Sequence, residues 1–275
     1  MRADDTNEAI PAGAEHVRGL GRRKAARLAY VTDLLNNEDF VSVDDLADML
    51  DVSRMTVHRD LDELQHKGVL RKMRGGATAH RSAKYESDLL FRARLLTDEK
   101  KAIAKEASTL IAQGDVVLVD ASTTTYEMFP YLAESVPLTV ITNFWLAIQE
   151  LAEVPDINII ALGGDYVPQY RAFLGAVCEH ALDELYADIL FASTSAMQGS
   201  SLYHQDQRVV SVKRAMLQSA RTRVLLMDHT KFGHGSLHRL GTLEEFTHIV
   251  VDDRVSTADL NYLRDADIEV LVATV

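Results

Sequence analysis

The chain has 275 residues, 47% hydrophobic and 25% charged, with 29 Lys or Arg against 41 Asp or Glu and a formal net charge of −12. That composition is typical of a folded globular protein, and the acidity, taken as one number, argues against polyanionic partners. The one cysteine, Cys178, excludes an internal disulfide framework and a thiolate metal pair. No apolar run approaches the roughly 18–20 residues of a membrane helix, and Met1 to Gly13 lacks a signal-peptide core, so the expectation is a cytoplasmic protein without membrane partner or cofactor.

The charge is unevenly spread. Met1 to Val17 has one basic residue against four acids, Arg18 to Arg81 has twelve against ten, and Ser82 to Val275 has sixteen against 27. The acidity therefore belongs mainly to the larger C-terminal part, and partners must be considered segment by segment. Composition divides the chain into a disordered tail (1–20), a small helical unit (21–80), a half-apolar linker (81–105) and a larger domain (106–275).

In the small unit, Leu28, Val31, Leu34 and Leu35 recur at helical spacing and predict a helix that ends near Asn36-Asn37. Ser42 then stands as the cap of a second helix through Leu50, with Asp44 and Asp45 in its first turn. After the turn at Asp51-Val52, Ser53 caps a third helix that Gly68 closes. Val57, Leu61 and Leu64 face inward along it, and Arg54, Thr56, His58 and Arg59 face solvent. Val69 to Thr78 predicts two short strands around Gly75-Gly76, carrying Arg71, Lys72 and Arg74. Two helices joined by a tight turn, the second polar and basic in its first turns, form an arrangement that fits a major groove. Arg suits guanine, Ser and Thr suit phosphates or base edges, and cations on a wing neutralise backbone charge. Solvated charges on an ordinary three-helix unit are the alternative.

Lys84 to Lys105 mixes Tyr85, Leu89, Leu90 and Phe91 with charges and merges into a helix through Ile103, Ala107 and Ile111, a connector suited to docking. Beyond Gly114, strand-length apolar runs at 116–119, 138–141, 157–162, 189–192, 224–227, 249–251 and 268–272 are mostly separated by helix-length segments. That pattern predicts a mainly parallel α/β sheet, whose ligands lie beyond the carboxyl ends of strands. After the first run, Asp120-Ala121-Ser122-Thr123-Thr124-Thr125 precedes a helix from Tyr126 to Leu132. Such a hydroxyl-rich turn suits a phosphate or carboxylate, or is a plain helix cap. Thr142-Asn143 and Gly163-Gly164-Asp165 follow the next two runs. Arg171, the one Lys or Arg between Lys105 and Arg208, is either an anion contact or a structural ion pair.

These residues carry a resemblance. Arg27, Val31, Leu35, Ser53 and Thr56-Val57-His58-Arg59-Asp60-Leu61 fall in the order and spacing of the helix-turn-helix of the DeoR family of bacterial transcriptional regulators, and Leu70 to Ala77 is similar to its R-x-H-G-G-A wing. Asp120 to Thr125 resembles that family's D-x-G-T-T-T loop, Thr142-Asn143 its T-N pair, Gly163 through Gly175 its G-G…F-x-G stretch, and Asp228 to Phe232 its D-x-S-K-F. The resemblance implies a winged helix-turn-helix followed by a sensor domain related to ribose-5-phosphate isomerase and the CoA transferases. By it, Thr123 to Thr125 would hold phosphate, with Asn143, Arg171 and Lys231 near the ligand. His58 stands where the family more often has Arg, and Lys72 and Arg74 where the wing usually has Arg and His. Ser122 replaces the loop's usual Gly, and Ser195-Ala196-Met197-Gln198 replaces S-G-I-D.

The implied function is a homo-oligomeric (dimer or tetramer), sequence-specific DNA-binding regulator. It would be a repressor of a carbohydrate catabolic operon, reading double-stranded operator DNA and modulated by a phosphorylated sugar. The alternatives are a sugar-phosphate isomerase-like enzyme or a protein-interaction scaffold. With Gln198 in place of an acid, the candidate bases Asp120, Asp165 and Asp206 form no recognisable acid/base pair, so no catalytic residue is expected. His229, His234 and His238 match no compact zinc spacing, so no metal is expected.

Overall fold

The computed structural model describes residues 24–37, 40–66, 69–79, 89–93 and 95–275. The expected tail (1–20), Gly68 and residues 81–88 and 94 of the expected linker lie outside them. The chain divides into two compact units, Met1–Arg81 and Ser82–Val275.

In the first unit, helix α1 (Lys24–Asn37) buries Leu28, Val31 and Leu35. A two-residue strand β1 (Val41–Ser42) leads into α2 (Val43–Leu50), where the Asp45 amide donates to Ser42 Oγ at 3.1 Å. Asp51 closes α2 in the left-handed region at φ 51°, a conformation that Asp tolerates better than most residues. Helix α3 (Arg54–His66) buries Val57, Leu61 and Leu64, and strands β2 (Leu70–Met73) and β3 (Gly76–Ala79) form the wing. β1 pairs with β3, giving a three-stranded antiparallel sheet. The two wing glycines serve different ends. Gly75 takes φ +84° in the turn, whereas any Cβ on Gly76 would overlap the Val41 carbonyl oxygen on β1. Beneath α3, Arg27 forms a buried two-pronged bond with Asp60, Nε to Oδ2 at 2.7 Å and Nη2 to Oδ1 at 3.1 Å. Asp60 thus anchors α3 to α1.

The second unit begins with α4 (Leu89–Arg92) and α5 (Thr97–Ser108). Alternating elements follow: β4 (Val116–Val119), α6 (Thr123–Tyr126), α7 (Phe129–Glu134), β5 (Leu138–Thr142), α8 (Trp145–Leu151) and β6 (Ile157–Ala161). A hairpin β7 (Asp165–Val167) and β8 (Ala172–Leu174) leads to α9 (Ala176–Asp183) and β9 (Ala187–Ser193). Then come β10 (Ala196–Gln198), β11 (Ser201–His204), α10 (Gln207–Gln218), β12 (Ala220–Met227), β13 (His238–Thr242), β14 (His248–Asp252), α11 (Thr257–Arg264) and β15 (Glu269–Ala273).

Seven strands form one sheet in the order β15-β14-β12-β9-β4-β5-β6, every neighbouring pair parallel. All seven apolar runs of the sequence are these strands. Their continuity follows from burial on both faces: Val117, Val119, Ile189 and Phe191 pack into one core, and Leu118, Leu190 and Ala192 into the other. Helices α5, α7 and α8 cover the first face; α9, α10 and α11 cover the second. α5 crosses the boundary expected at 105/106, because Ile103, Ala104 and Ala107 are fully buried against the sheet. The helix expected from Tyr126 to Leu132 is broken into α6 and α7, with Pro130 in the first turn of α7, where a missing N–H costs no hydrogen bond. Cys178 is buried in the second core, which pushes its thiol up to about 12 and leaves it inert.

Strand order reverses between β4 and β9, where the chain turns from adding strands on one side to adding them on the other. At such a point the loops leaving adjacent strands diverge and open a crevice.

Candidate functional sites

On the first unit, the candidate nucleic-acid surface is the outer face of α3 with the wing. Several of its polar residues already have partners. The Ser53 hydroxyl caps α3, accepting from the Thr56 amide at 3.2 Å and lying 3.0 Å from the Thr56 hydroxyl. Arg54 pairs with Asp44 of α2 at 2.7 Å, both exposed. Lys72 reaches from the wing to Asp62 of α3 at 2.6 Å, and its amide donates to Gln65 Oε1. That lysine holds the Asp62 carboxyl below its ordinary range. Among the described residues, His58, Arg59, Arg71 and Arg74 have no hydrogen-bond or ion-pair partner, so they are the side chains already free for phosphates and base edges. Exposed pairs such as Arg54–Asp44 are worth about 0–1 kcal/mol, little enough for a phosphate to displace.

In the second unit the carboxyl ends of β4, β9 and β12 converge. Asp120, directly after β4, is buried; its Oδ2 accepts from the Ser193 amide at 2.8 Å and from Lys213, and its Oδ1 from the Thr125 hydroxyl at 3.0 Å. Lys213, buried on α10, also donates to the Ser193 carbonyl at 2.8 Å. Lys231, in the turn after β12, donates to Ser193 Oγ at 2.9 Å and Thr124 Oγ1 at 3.4 Å, and pairs with Asp228 at 3.4 Å. Burial alone would push the Asp228 carboxyl up, but Lys231, hydrogen bonds from Thr230 and the charge of Lys100 together hold it below its ordinary value. Lys100 is itself buried on α5, donating to the Arg92 and Leu95 carbonyls at 2.6 and 2.7 Å. Desolvation brings its ammonium down to about 7 despite the pull of Asp228.

Beside this network lies a cavity of about 10 Å³ lined by Asp120, Asn143, Tyr170, Ala172 and Lys213 among others, room for about one water molecule. Asn143 Nδ2 donates to the Phe173 carbonyl at 2.9 Å, while its buried Oδ1 has no partner among the described residues. An unpaired buried acceptor costs about 1–3 kcal/mol, so this atom is ready for a donor.

Asp120, Thr124, Thr125 and Lys231 are thus brought into one network, with Asn143 beside it on the cavity that Asp120 also lines. Ser122 takes φ −139° and caps α6, accepting from the Thr125 amide at 3.1 Å; at that angle the backbone makes no demand for glycine. Thr123 is buried in the first turn of α6. Gly164 serves the chain's own packing, since a Cβ there would collide with the Leu174 carbonyl, and Gly163 is exposed. Arg171 takes φ 49° between β7 and β8, and its neighbours Tyr170 and Ala172 line the cavity. Its side chain makes no hydrogen bond or ion pair among the described residues. Of the carboxylates weighed as bases, Asp120 is matched by Lys213, and Asp206 caps α10 and pairs with Arg208 at 2.7 Å. His229 is held by Asp252 at 2.9 Å. No group of acids, histidines and cysteine that could hold a metal occurs among the described residues.

The profile of the DeoR C terminal sensor domain matches residues 96–253, and that of the DeoR-like helix-turn-helix domain matches residues 27–83. The chain belongs to the DeoR family of transcriptional regulators. This DeoR-family chain is 32% identical to the L-fucose operon activator of Escherichia coli (strain K12), covering 84% of this chain and 96% of that one. It is 31% identical to the transcriptional repressor AccR of Agrobacterium fabrum, covering 84% and 90%. Among solved structures, a ribose 5-phosphate isomerase from Methanocaldococcus jannaschii aligns over 50% of this chain and 55% of that one, at 19% identity and a TM-score of 0.38. No described helix is long and apolar enough to cross a membrane.

Lys213 and Lys100 went unmarked in the sequence. Each sits in an amphipathic helix among other charged residues, and residue type alone does not separate a lysine that points into the site from one in water. The signal for Lys213 is periodic: it continues the buried row of Val209, Val210 and Met216 on α10.

Proposed function

We propose that this DeoR-family regulator binds operator DNA through α3 and the wing, and that its second unit binds a phosphorylated sugar at the reversal of strand order. The observation that carries the ligand reading is a convergence there. Lys231 supplies a cation, Thr124 and Ser193 supply hydroxyls, and Asn143 Oδ1 is an unpaired acceptor for a ligand hydroxyl. Lys213 orders this cluster by neutralising Asp120. Arg171, whose side chain has no partner among the described residues, is a second candidate for the phosphate.

A sugar phosphate is far larger than a 10 Å³ cavity, so its binding must rearrange the site, and we propose that it parts the neighbouring bridge that Lys231 makes to Ser193 and Thr124. Ligand-bound and ligand-free forms then differ in structure, the condition for an effector to shift an equilibrium at a distance. Self-association as a dimer or tetramer fits the reading of paired half-sites by one small helix-turn-helix per chain. Catalysis is disfavoured because the buried carboxylates of the site are matched by lysines and hydroxyls, and because the relatives are named as regulators.

Operator release on effector binding is the behaviour of a repressor of a catabolic operon, the sign we propose. Relatives of both signs occur, and a titration of operator binding with and without effector reads the sign directly. The first experiment is a thermal-shift screen against sugar phosphates, the parent sugars and inorganic phosphate. A ligand of the folded state raises the melting temperature, by about 2.7 kcal/mol of stabilisation at a hundred times its dissociation constant. A phosphorylated sugar should stabilise and its parent should not; Thr124→Asp and the milder Lys231→Gln should both remove the shift and the effect on operator affinity. A shift that survives both substitutions would remove this site.

A further inference from the structure

We propose that Met55 reads the 5-methyl group of a thymine in the major groove, making it a specificity-determining residue of the operator interface. The proposal rests on α3 being the helix that enters the groove.

Among the described residues of the first unit the exposed large apolar side chains are Phe40, Met55 and Met73, and Met55 is the most open of them at 64% exposure. An isolated exposed methionine is ordinary on a protein surface; what gives this one meaning is its place. With 3.6 residues per turn, Met55, Arg59 and Asp62 form the row of α3 directly opposite the buried Val57, Leu61 and Leu64. Met55 heads that row in the first turn, the part of a recognition helix that comes nearest the base edges.

Its neighbours are turned elsewhere. Arg54 is drawn to Asp44 on α2, the Ser53 and Thr56 hydroxyls face one another across the cap, and Asp62 is bound by Lys72 of the wing. The unengaged groups of the helix's leading face are therefore the Met55 thioether chain, the exposed His58 and, one turn on, the Arg59 guanidinium, and of these Met55 alone is apolar.

Met55 carries no hydrogen-bond donor and at best a weak acceptor, so it cannot read the polar pattern of a base pair. The major groove presents one apolar feature, the thymine methyl. A flexible, polarisable side chain reaching into the groove therefore distinguishes thymine from the other bases by burying that methyl. Arg59, four residues later on the same row, suits a guanine about one turn of helix away.

The test uses the full-length protein and an operator selected by it from a randomised duplex library. Each thymine is then replaced singly by deoxyuracil, which removes the methyl and leaves every hydrogen-bonding group in place. At one thymine in each half-site, loss of the methyl should weaken wild-type binding about fourfold, the value of one buried methyl or methylene group. Met55→Ala should bind thymine and uracil duplexes equally at that position, and Met55→Leu should keep the discrimination. Met55 is 64% exposed, so the melting temperature of both variants should match the wild type. Arg59→Ala separates the two readings, and should weaken binding while preserving the thymine preference. If no thymine responds to demethylation, or if Met55→Ala discriminates as well as wild type, the assignment to Met55 falls while the helix assignment stands. If Arg59→Ala and Met55→Ala both bind as wild type, α3 is not the reading helix and the proposal falls with it.

Discussion

Lys213→Ala isolates the buried charge at the centre of the second unit. In the wild type, Asp120 and Lys213 are 1% and 5% exposed and bonded to each other, and Lys213 also satisfies the Ser193 carbonyl. Truncation leaves the carboxylate with the Ser193 amide and the Thr125 hydroxyl, strands the Ser193 carbonyl, and enlarges the adjoining cavity by three methylenes and an ammonium. Removing one partner of a buried pair costs about 3–5 kcal/mol. With a urea slope near 3 kcal/mol/M for a domain of this size, the midpoint should fall by about 1–2 M. Trp145 is the one tryptophan in the chain and lies in the second unit, its ring 6.4 Å from Tyr166 and 6.2 Å from Phe173, so its fluorescence reports this unit alone. The companion variant Asp120→Asn/Lys213→Met removes both charges and should recover most of the loss, since exchanging a whole buried pair for neutral groups is often close to neutral. A fall of less than about 1 kcal/mol for Lys213→Ala would be the signature of a solvated pair. A double variant equal to the sum of its parts would deny that the two residues act as a unit. Either result would refute the reasoning.

Arg27→Ala should release α3 from α1 and cost the first unit about 3 kcal/mol or more, for the same reason. Amide exchange should quicken across residues 24–79 and leave the second unit unchanged, with operator binding lost on all sequences. Gly76→Ala should displace β3 from β1 because the new methyl meets the Val41 carbonyl; the expected result is weaker binding to every duplex, whereas Gly75→Asn, at a positive φ that Asn tolerates, should be milder. The bond to Asp252 raises the pKa of the His229 imidazole above its ordinary value against the opposing effect of burial. The stability this supplies is therefore complete below pH 6.5, the unfolded value, and fades as pH rises through the folded value. The difference in urea midpoint between wild type and His229→Gln should shrink across that window. An NMR titration of His229 at or below 6.5 would contradict it.

Much of this architecture was legible because two periodicities are unambiguous. Seven strand-length apolar runs, mostly separated by helix-length segments, fit a mainly parallel sheet, and the caps Ser42 and Ser53 mark their helices by residue type alone. β1 was missed because two residues carry no periodicity, and its existence depends on Gly76 admitting a close neighbour. The hairpin of β7 and β8 and the small sheet of β10, β11 and β13 were missed for a related reason: three- to five-residue strands with mixed exposure depend on partners distant in sequence. The loop from Asp120 to Thr125 was visible as a hydroxyl-rich turn, yet its helix is a single turn that ends before Pro130. What spacing cannot supply is pairing. Asp60 binds Arg27, 33 residues earlier, a partner that no local spacing marks. Lys72 looked like a free wing cation and is tied to Asp62.

Ser122 bears on how such sensor domains diversify. At φ −139° the first position of the α6 cap is open to any side chain, and the hydroxyl found there turns back on Thr125 rather than outward. Glycine at this place is therefore not compelled by the backbone that this chain adopts. Selection can exchange the two without moving the strand, the turn or Asp120, trading bare peptide surface at the mouth of the crevice for a cap that stiffens the turn. A sequence pattern that insists on glycine there would exclude chains whose loop is built in the same way.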